Sequence, residues 1–435
     1  MLMTRAHIIT ATLVFLGIAG GYWLMALHWP ILYIWSTYED LHGEWAQTLL
    51  FLTVFLISVR LAVTRDGTFC IFFGLLALAC FYVVMEEISW GQRLIGFDSP
   101  DIFKRHNLQR EANIHNLLVG PYSTLLKDII EYTLASALAL YGFVYPLLLA
   151  FRVRPAVLME KLGIPAPPLY LWPFFVTAAY LETAPFHFNE AEVAELLVGA
   201  GLAIMTTHYW FLQRHGIGTA GHAPLTMRTS VQLSLVIVLL VTGVATAAGI
   251  ITRVVYAQPE ERAAIDARIL NGYEKFAGRY QGIGMLEVTS DLYLEIHKKE
   301  PYRTSILRRL AKTRRQLGDE SGFLRYTNKA LDIGLERYAA NPDRVSTNLS
   351  LARTYKQLGE TTRSLEHANR AYRIAMKRAI DKPDSAKNAY WLAKTYRQLG
   401  KYNHALVQYR KAFDLNPSST KYRKAYYRMK RRSGE

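Results

Sequence analysis

The segments LAKTRRQLG (residues 310–318), LARTYKQLG (351–359) and LAKTYRQLG (392–400) repeat one pattern at a spacing of 41 residues. Each is followed by a second amphipathic segment with apolar residues at helical spacing, the first of which is FLRYTNKALDIGLERYA. Helix pairs that recur at a fixed period are typical of an α-solenoid, because each pair buries its apolar face against its neighbours. The sequence therefore predicts a stack of helix pairs over residues 300–420.

The repeated unit resembles the tetratricopeptide repeat. Its first helix carries a Leu-Ala…Tyr…Leu-Gly pattern, its second carries Ala-Leu…Tyr-x-x-Ala, and Asn416 and Pro417 follow the last unit. The period exceeds the family's usual length of about 34 residues. The additional residues fall around NPDRVSTN and DKPDSAKN, which is compatible with longer helices. The resemblance implies a concave groove that binds peptides or proteins, and hence a role in assembly rather than in chemistry.

Charged residues are divided unequally along the chain. Residues 254–435 contain 37 Lys and Arg against 19 Asp and Glu, whereas residues 1–253 contain 14 against 16, so the net charge of +16 lies entirely in the C-terminal part. Such an excess indicates an acidic partner, such as anionic lipid, an acidic polymer or nucleic acid, or else a solvated helical surface. Beside the repeats we predict a linker helix and degenerate capping unit at 254–299, and a basic helix or tail at 421–435.

Before residue 254, apolar segments long enough to cross a bilayer recur along the chain. We predict seven transmembrane helices, at about residues 8–29, 46–64, 68–88, 129–151, 169–185, 191–212 and 230–252. The predicted fold class is therefore all-α, with a seven-helix transmembrane bundle followed by a tetratricopeptide-like α-solenoid. The only two cysteines, Cys70 and Cys80, lie within one apolar segment, which excludes a disulfide framework.

The Lys and Arg residues of the short connections set the predicted orientation. If the N-terminus is inside, the outer connections 30–45 and 186–190 carry no basic residue, whereas the inner segments carry Arg5, Arg60, Arg65, Arg152, Arg154, Lys161, Arg214 and Arg228. The basic outer connection 89–127 is an exception to this rule. Seven spans then place the chain after residue 253 outside an inner or plasma membrane, in the periplasm or its equivalent. The alternative is an inverted topology with six or eight spans, in which the basic solenoid would meet nucleic acid.

The segment EEISWGQRLIGFDSPDIFKRHNLQREANIHN (residues 86–116) joins paired carboxylates to two histidines. Its strings EEISWGQR and NIHN resemble segments of uncharacterised bacterial multispan membrane proteins, a resemblance that implies no activity. The predicted topology brings ionisable residues from several connections to the outer face, and such residues in spans are functional candidates. The candidate catalytic residues are Glu86, Glu87, Arg93 and Glu182. The candidate metal ligands are His106, His115, His187, Glu192 and Glu195.

Three interpretations of this group remain open. Carboxylates and imidazoles suit zinc, iron or manganese, and such an ion would lower the pKa of a bound water, although no ligand motif of characteristic spacing is present. Without a metal, a carboxylate in an apolar setting could exchange protons near neutral pH, with Arg93 holding a substrate phosphate or carboxylate. In the structural interpretation, Glu190 and Glu192 stabilise the first turn of a helix, and Glu86 or Glu87 pairs with an arginine.

These patterns predict a membrane-anchored interaction or assembly protein of the bacterial envelope, which binds a protein partner through an outward-facing solenoid. The alternative is a membrane-embedded hydrolase or transferase, with or without a metal ion, that acts on a lipid-borne substrate at the outer face. The two differ at Glu87, His115 and Glu192, because alanine there should change only the stability of a scaffold but the activity of an enzyme.

Overall fold

The computed structural model describes residues 5–38, 40–64, 68–91, 124–216 and 225–433, and every regular element in these ranges is helical. This confirms the all-α class for the described residues. The chain divides into two compact units, residues 1–272 and 273–435. The predicted divisions at residues 253, 299 and 420 stay predictions.

The N-terminal unit is a bundle of helices of unequal length. In chain order they are α1 (Ala6–His28), α2 (Pro30–Ser36), α3 (His42–Thr64), α4 (Phe69–Glu87), α5 (Thr124–Ala139), α6 (Tyr145–Ala150), α7 (Arg154–Lys161), α8 (Trp172–Glu182), α9 (Glu190–Arg214) and α10 (Met227–Ala257). A π-helical segment, Leu140–Val144, joins α5 to α6. Prolines stand in the first turn of α2, α7 and α8, where the missing N–H group removes no helical hydrogen bond.

Five helical segments of the described residues are long enough and apolar enough to cross a membrane: Ala6–His28, His42–Thr64, Phe69–Glu87, Ile129–Ala150 and Met227–Ala257. In the most apolar stretches of α1 and α10, only 6% and 11% of the residues are buried. Apolar helix faces of this length without a protein neighbour are suited to contact with lipid tails.

The predicted number of seven spans is wrong for the described residues, because two of the predicted segments do not qualify. Predicted span 169–185 forms α8, whose 11 residues reach only about 16 Å, roughly half the thickness of a bilayer core. Predicted span 191–212 forms α9, which has 25 residues but carries Glu192, Glu195 and His208 within its length. Helix α9 is therefore long enough to cross a membrane but not apolar enough to face lipid.

Helix α9 tolerates these polar residues because it lies inside the bundle. It packs against α1, α3, α8 and α10, and 17 of its 25 residues are buried. Two glycines permit close approach: a Cβ atom at Gly199 would lie 3.1 Å from the side chain of Leu50, and one at Gly201 would lie 3.2 Å from that of Phe174. Small residues at such crossings are typical of helices that pack tightly within membranes.

Helix α11 (Pro259–Gly282) begins in the first unit and ends in the second. The second unit continues with α12 (Leu286–Lys299), α13 (Thr304–Gln316), α14 (Glu320–Ala340), α15 (Val345–Leu358), α16 (Thr361–Asp381), α17 (Ala386–Gln398), α18 (Tyr402–Leu415) and α19 (Thr420–Ser433). The three repeats are the pairs α13–α14, α15–α16 and α17–α18. The second helices of the first two pairs have 21 residues against 14 in α18, so longer second helices account for the long period.

Alanine occupies the same two buried positions in all three repeats. Ala311, Ala352 and Ala393 in the first helices are fully buried, and in the second helices the equivalent residues, no more than 1% exposed, are Ala330, Ala371 and Ala412. Each pair packs internally, and each second helix packs against the next first helix. A small side chain at these points lets the helices approach closely, which is why the 41-residue pattern repeats alanine there.

The turn inside each repeat requires glycine. Gly318, Gly359 and Gly400 have φ values of 80°, 85° and 77°, in the left-handed region that glycine adopts without strain. The next residue donates its N–H group to the carbonyl five residues earlier, at 2.9 Å in each repeat. This is the hydrogen bond of a Schellman motif, and it ends the first helix at the same point of every unit.

Candidate functional site

Only part of the candidate group predicted from the sequence falls within the described residues. Arg93, His106 and His115 lie in the segment 92–123, outside the described ranges. The remaining candidates lie on or beside the ends of α4, α8 and α9: Glu86, Glu87, Glu182, His187, Glu192 and Glu195. Their catalytic and metal-binding roles stay predictions.

Three carboxylates from three different helices come together in the N-terminal unit. Glu195, in the second turn of α9, lies close enough to Glu87 and Glu182 for their charges to interact. Glu182 is buried, with 9% of its surface exposed, whereas Glu87 and Glu195 are partly buried. These residues lie at the ends of α4 and α8 and near the start of α9. The predicted order of the spans places all three positions at one face, so the sequence predicts this grouping.

Glu86 takes part in a local contact at the end of α4. Its carboxylate accepts a hydrogen bond from the indole N–H of Trp90 at 2.5 Å. The bond closes a turn in which Ser89 and Trp90 have φ values of 49° and 55°. Adjacent helical residues point about 100° apart, so Glu86 and Glu87 contact different surroundings. The predicted pairing of Glu86 or Glu87 with an arginine stays a prediction.

The turn between α8 and α9 is held by Glu190. Its carboxylate accepts the backbone N–H groups of Phe186 at 2.5 Å, His187 at 2.7 Å and Phe188. His187 contributes its backbone to this turn, while its imidazole is exposed. The arrangement matches the structural interpretation of Glu190, because a carboxylate that accepts several N–H groups fixes a tight turn.

Glu192 connects α9 to α3. The side-chain amide of Gln47 donates to the backbone carbonyl of Glu192 at 2.6 Å and to its carboxylate at 3.5 Å. Gln47 itself is buried, with 1% of its surface exposed. These bonds link two helices inside the bundle, so the described contacts of Glu192 are structural.

Within the described ranges, no group of three or more His, Cys, Asp or Glu side chains is placed to hold a metal ion. The predicted zinc, iron or manganese site also used His106 and His115, which lie outside these ranges. The three grouped carboxylates alone therefore do not form a site for the predicted metal.

A second polar group in the bundle has no counterpart among the predicted candidates. The imidazole Nδ1 of His7 lies 2.7 Å from the hydroxyl of Ser230, and the hydroxyl of Tyr170 lies 3.2 Å from Nδ1 of His208. The His7 and His208 rings are 6.2 Å apart, and both residues are buried. The signal was available in the order of the spans, because these residues lie at the predicted inner ends of their helices.

In the solenoid, an open cavity of about 410 Å³ runs along the first helices of the repeats. Its wall contains one indole and five cations, namely Trp391, Arg308, Arg337, Arg344, Arg353 and Lys394. No acidic residue of the described chain belongs to this wall. We call Arg308, Arg353 and Lys394, which come from α13, α15 and α17, the groove cations.

The groove cations contact neutral groups. The guanidinium of Arg308 donates to the hydroxyl of Ser350 at 2.9 Å, and Nε of Arg353 donates to the side-chain oxygen of Gln398 at 3.1 Å. Among the described residues, no carboxylate lies within 4 Å of any groove cation. The groove cations are thus oriented without being neutralised.

Cations elsewhere on the solenoid do have acidic partners. Arg309, next to Arg308 in the chain, lies 2.8 Å from Glu274, and Arg303 pairs with the same carboxylate. Arg370 on α16 lies 3.3 Å from Asp343. These cations are neutralised by nearby carboxylates, whereas the groove cations are not.

Burial, together with their mutual proximity, lowers the pKa values of the groove cations. Burial, together with the charges of Arg353, Arg397 and Lys421, lowers the pKa of Lys394 to about 8. Burial and the neighbouring charge of Arg353 lower the pKa of Arg308 to about 10. Each shift reflects unfavourable burial and repulsion of cations, and an anion in the cavity would remove part of both.

Aromatic rings lie beside these cations. The ammonium of Lys394 is 4.5 Å from the centroid of the Trp391 ring and 5.4 Å from that of Tyr390. Lys421 is 4.5 Å from the centroid of the Tyr390 ring. Cation–π contacts hold the ammonium groups in place without neutralising their charge.

The repeat pattern contained a signal for part of this cavity. Arg353 and Lys394 are the third residues of the LART and LAKT segments, and the equivalent Lys312 is also basic. Arg308 has no such signal, because the equivalent positions hold Leu349 and Tyr390. The sequence thus indicates a basic solenoid, while the location of the cavity requires the packing of successive repeats.

The tetratricopeptide repeat family matches residues 343–418, which comprise the second and third repeats. This match supports the resemblance predicted for the C-terminal part. The resemblance of the N-terminal half to multispan membrane proteins stays a prediction. No match was found among curated proteins.

Several solved structures are similar to part of the chain. MamA 41-end from Desulfovibrio magneticus RS-1 is 16% identical over 38% of this chain and 85% of its own, with a TM-score of 0.18. A thermophilic TPR protein in Thermus thermophilus, TTC0263, is 21% identical over 46% and 95%, with a TM-score of 0.22. The P58(IPK) TPR domain is 13% identical over 70% and 97%, with a TM-score of 0.16.

Proposed function

We propose that the chain is a membrane-anchored interaction protein of the bacterial envelope, whose solenoid binds an acidic segment of a partner protein. The observation that carries this proposal is the row of groove cations from three successive repeats, with no carboxylate within 4 Å among the described residues. The match to tetratricopeptide repeats at residues 343–418 supports a protein-interaction or assembly role.

The shape and charge of the cavity favour an extended acidic polypeptide. A volume of about 410 Å³ is within the usual range of ligand sites, roughly 300–1,000 Å³. Hydroxyl groups of Thr304 and Ser350 lie beside Arg308 and offer further donors to carboxylate oxygens. Complementary charge increases the rate of association and selects against neutral or basic partners.

The membrane part of the proposal is supported by the five apolar helical segments. Removing α8 and α9 from the predicted seven spans removes a consecutive pair, so the predicted sides of the remaining connections do not change. Arg60, Arg152, Arg154, Arg214 and Arg228 still fall on the inner side under this revision. We propose a cytoplasmic N-terminus and a solenoid on the periplasmic or extracellular side.

The test is the binding of a fluorescent glutamate-rich peptide to the full-length, detergent-purified chain, measured by anisotropy. A peptide of the same length with Gln in place of Glu is the ligand control. We expect binding of the Glu peptide to weaken with salt. We also expect the double variant Arg353→Gln/Lys394→Gln to bind at least about tenfold more weakly, because it removes two charged contacts of roughly 1 kcal/mol or more each.

Lys356→Gln is the matched control variant for this test. Lys356 lies one turn after Arg353 on α15, is exposed and does not belong to the cavity wall. It removes the same charge from the same helix, so its affinity should stay close to that of the unchanged protein. Equal binding of the Gln peptide, or an unaltered double variant, would show that the groove does not recognise carboxylates.

The grouping of Glu87, Glu182 and Glu195 favours a second candidate function, that of a membrane-embedded hydrolase or transferase acting on a lipid-borne substrate. A metal ion there would require ligands beyond these three carboxylates, such as the predicted His115. Mass spectrometry of the purified chain, with Glu87→Ala and His115→Ala alongside, measures this directly. A stoichiometric metal lost in both variants supports the enzyme, and a folded chain without metal removes the metal-dependent form of this candidate.

A further inference from the structure

A second basic cavity lies in the N-terminal unit, where α3 and α9 end side by side. Its volume is about 540 Å³, and its wall consists of Arg60, Thr64, Trp210, Gln213 and Arg214. None of these residues belongs to the predicted candidate group or to the solenoid groove. The cavity is therefore separate from both of the sites described above.

Specific bonds between the two helices hold the wall in place. The side-chain amide of Gln213 donates to the carbonyl of Thr64 at 2.9 Å and contacts its hydroxyl at 3.1 Å. The guanidinium of Arg214 lies 5.6 Å from the centroid of the Trp210 ring. The cavity is thus built from residues that contact one another, which reduces the ordering needed to bind a ligand.

The charge of the cavity is positive. Arg60 and Arg214 are both exposed, and no carboxylate of the described residues lies within 4 Å of either guanidinium. Two like charges on one cavity repel each other, and an anion between them would replace repulsion by attraction. Guanidinium groups are the side chains best suited to phosphate, because their parallel N–H groups match its oxygens.

An apolar strip leads along α3 to this cavity. Leu56, Val59 and Val63 share one face of the helix with Arg60, and their exposed fractions are 58%, 40% and 80%. Helix α3 is one of the five segments able to cross a membrane. A ligand with a phosphate at one end and hydrocarbon at the other would contact both the cations and the strip.

We propose that this cavity binds the phosphate headgroup of an anionic phospholipid, with its acyl chains along Leu56, Val59 and Val63. The proposal rests on the membrane anchoring proposed above, whose orientation places the end of α3 at the inner leaflet. That leaflet is where anionic lipids concentrate and where juxtamembrane arginines gain most from them. Trp210 in the cavity wall adds an indole ring, a group that favours the membrane interface.

The test is native mass spectrometry of the full-length chain in detergent, with added phosphatidylglycerol or phosphatidylcholine. We expect one phosphatidylglycerol per chain to be retained in preference to phosphatidylcholine. At about fivefold per arginine near the headgroups, Arg60→Gln and Arg214→Gln should each weaken retention about fivefold and the double variant about thirtyfold. Arg228→Gln is the control, because Arg228 is an exposed arginine of the same unit outside the cavity.

Several results would contradict the proposed lipid site. Retention that does not differ between the unchanged protein and the double variant, or equal retention of both lipids, overturns the proposal. Inorganic phosphate that competes as well as the lipid would assign the cavity to a free anion instead. Peptide binding measured on the same samples separates this result from the groove, because the arginine variants should leave it unchanged.

Discussion

At the scale of single residues, the glycines that end the first helices are the most consequential repeated feature. Gly359 has a φ of 85°, and a Cβ atom added there would meet no other atom within 4 Å. The effect of Gly359→Ala is therefore purely conformational. We expect it to lower the free energy of unfolding of the solenoid by about 1–2 kcal/mol, the cost of placing an L-residue in the left-handed region. Urea unfolding of the full-length chain, followed by circular dichroism, measures this change.

Gly278→Ala is the matched control, because it also adds a methyl group in open space. Gly278 lies within α11, in the same unit, and its φ is negative. Alanine in a helix interior should stabilise the chain by about 0.5–1 kcal/mol. Two variants with shifts of the same sign would contradict the assignment of the turn geometry at Gly359.

The sequence predicts the environment of a residue best where the same role recurs in every repeat. The buried alanines and the glycines recur every 41 residues, so one pattern predicts their environment in all three units. Arg308 has no basic equivalent in the other two repeats. His7 and Ser230 contact each other across 223 residues of chain. The order of the predicted spans places His7 and Ser230 on one side, but no local pattern identifies them as partners, because their contact depends on the packing of distant helices.

At the scale of elements, length and burial separate the five predicted spans that are long and apolar enough to cross a membrane from the two that are not. The predicted segment 169–185 begins with Leu169–Leu171, which form a separate turn. Helix α8 begins only after this turn, with Pro173 near its start, and has 11 residues. Helix α9 is long, but most of its surface is buried against other helices, and its composition is mixed. A hydropathy pattern records apolar runs and does not distinguish a lipid-facing helix from one at the centre of a bundle.

The lowered pKa of Lys394 on α17 should make peptide binding in the groove depend on pH. Lys394, whose pKa is lowered to about 8, is protonated below that pH and loses its charge above it. The affinity for a glutamate-rich peptide should therefore fall about fivefold or more between pH 7 and pH 9.5. The carboxylates of the peptide do not titrate in this range. Anisotropy titrations across the range measure the change.

Lys394→Arg tests the origin of this dependence, because an arginine retains its charge throughout the range. Its affinity should stay nearly constant from about pH 7 to about pH 9.5, and a profile as steep as that of the unchanged protein would exclude Lys394 as the source. The stability of the fold should change with pH in the direction opposite to the change in peptide affinity. Because the folded-state pKa of about 8 lies below the ordinary value of 10.5, the unneutralised ammonium destabilises the fold below that pKa, and this destabilisation is relieved as the pH rises toward the ordinary value.

At the scale of the whole molecule, the side of the membrane on which the solenoid lies depends on whether the number of spans is odd or even. Seven and five both place the two ends of the chain on opposite sides of a membrane, so the proposed side of the solenoid is common to both numbers. Ser418→Cys, in an exposed turn of the solenoid, should react with a membrane-impermeant maleimide in intact cells after Cys70 and Cys80 are replaced by alanine. Arg228→Cys should react only after lysis, and the reverse pattern would support the inverted topology.

We propose that the solenoid holds an acidic protein segment against the groove cations. Trp391 lies in the cavity wall beside Lys394, so a photo-cross-linking amino acid in its place would capture whatever fills the groove in living cells. Mass spectrometry of the captured peptide then identifies the occupant. We expect a polypeptide rich in Asp and Glu at the point of attachment, and we expect its capture to be lost in the Arg353→Gln/Lys394→Gln background. A neutral or basic segment, a nucleic acid or a lipid attached at this position would contradict it.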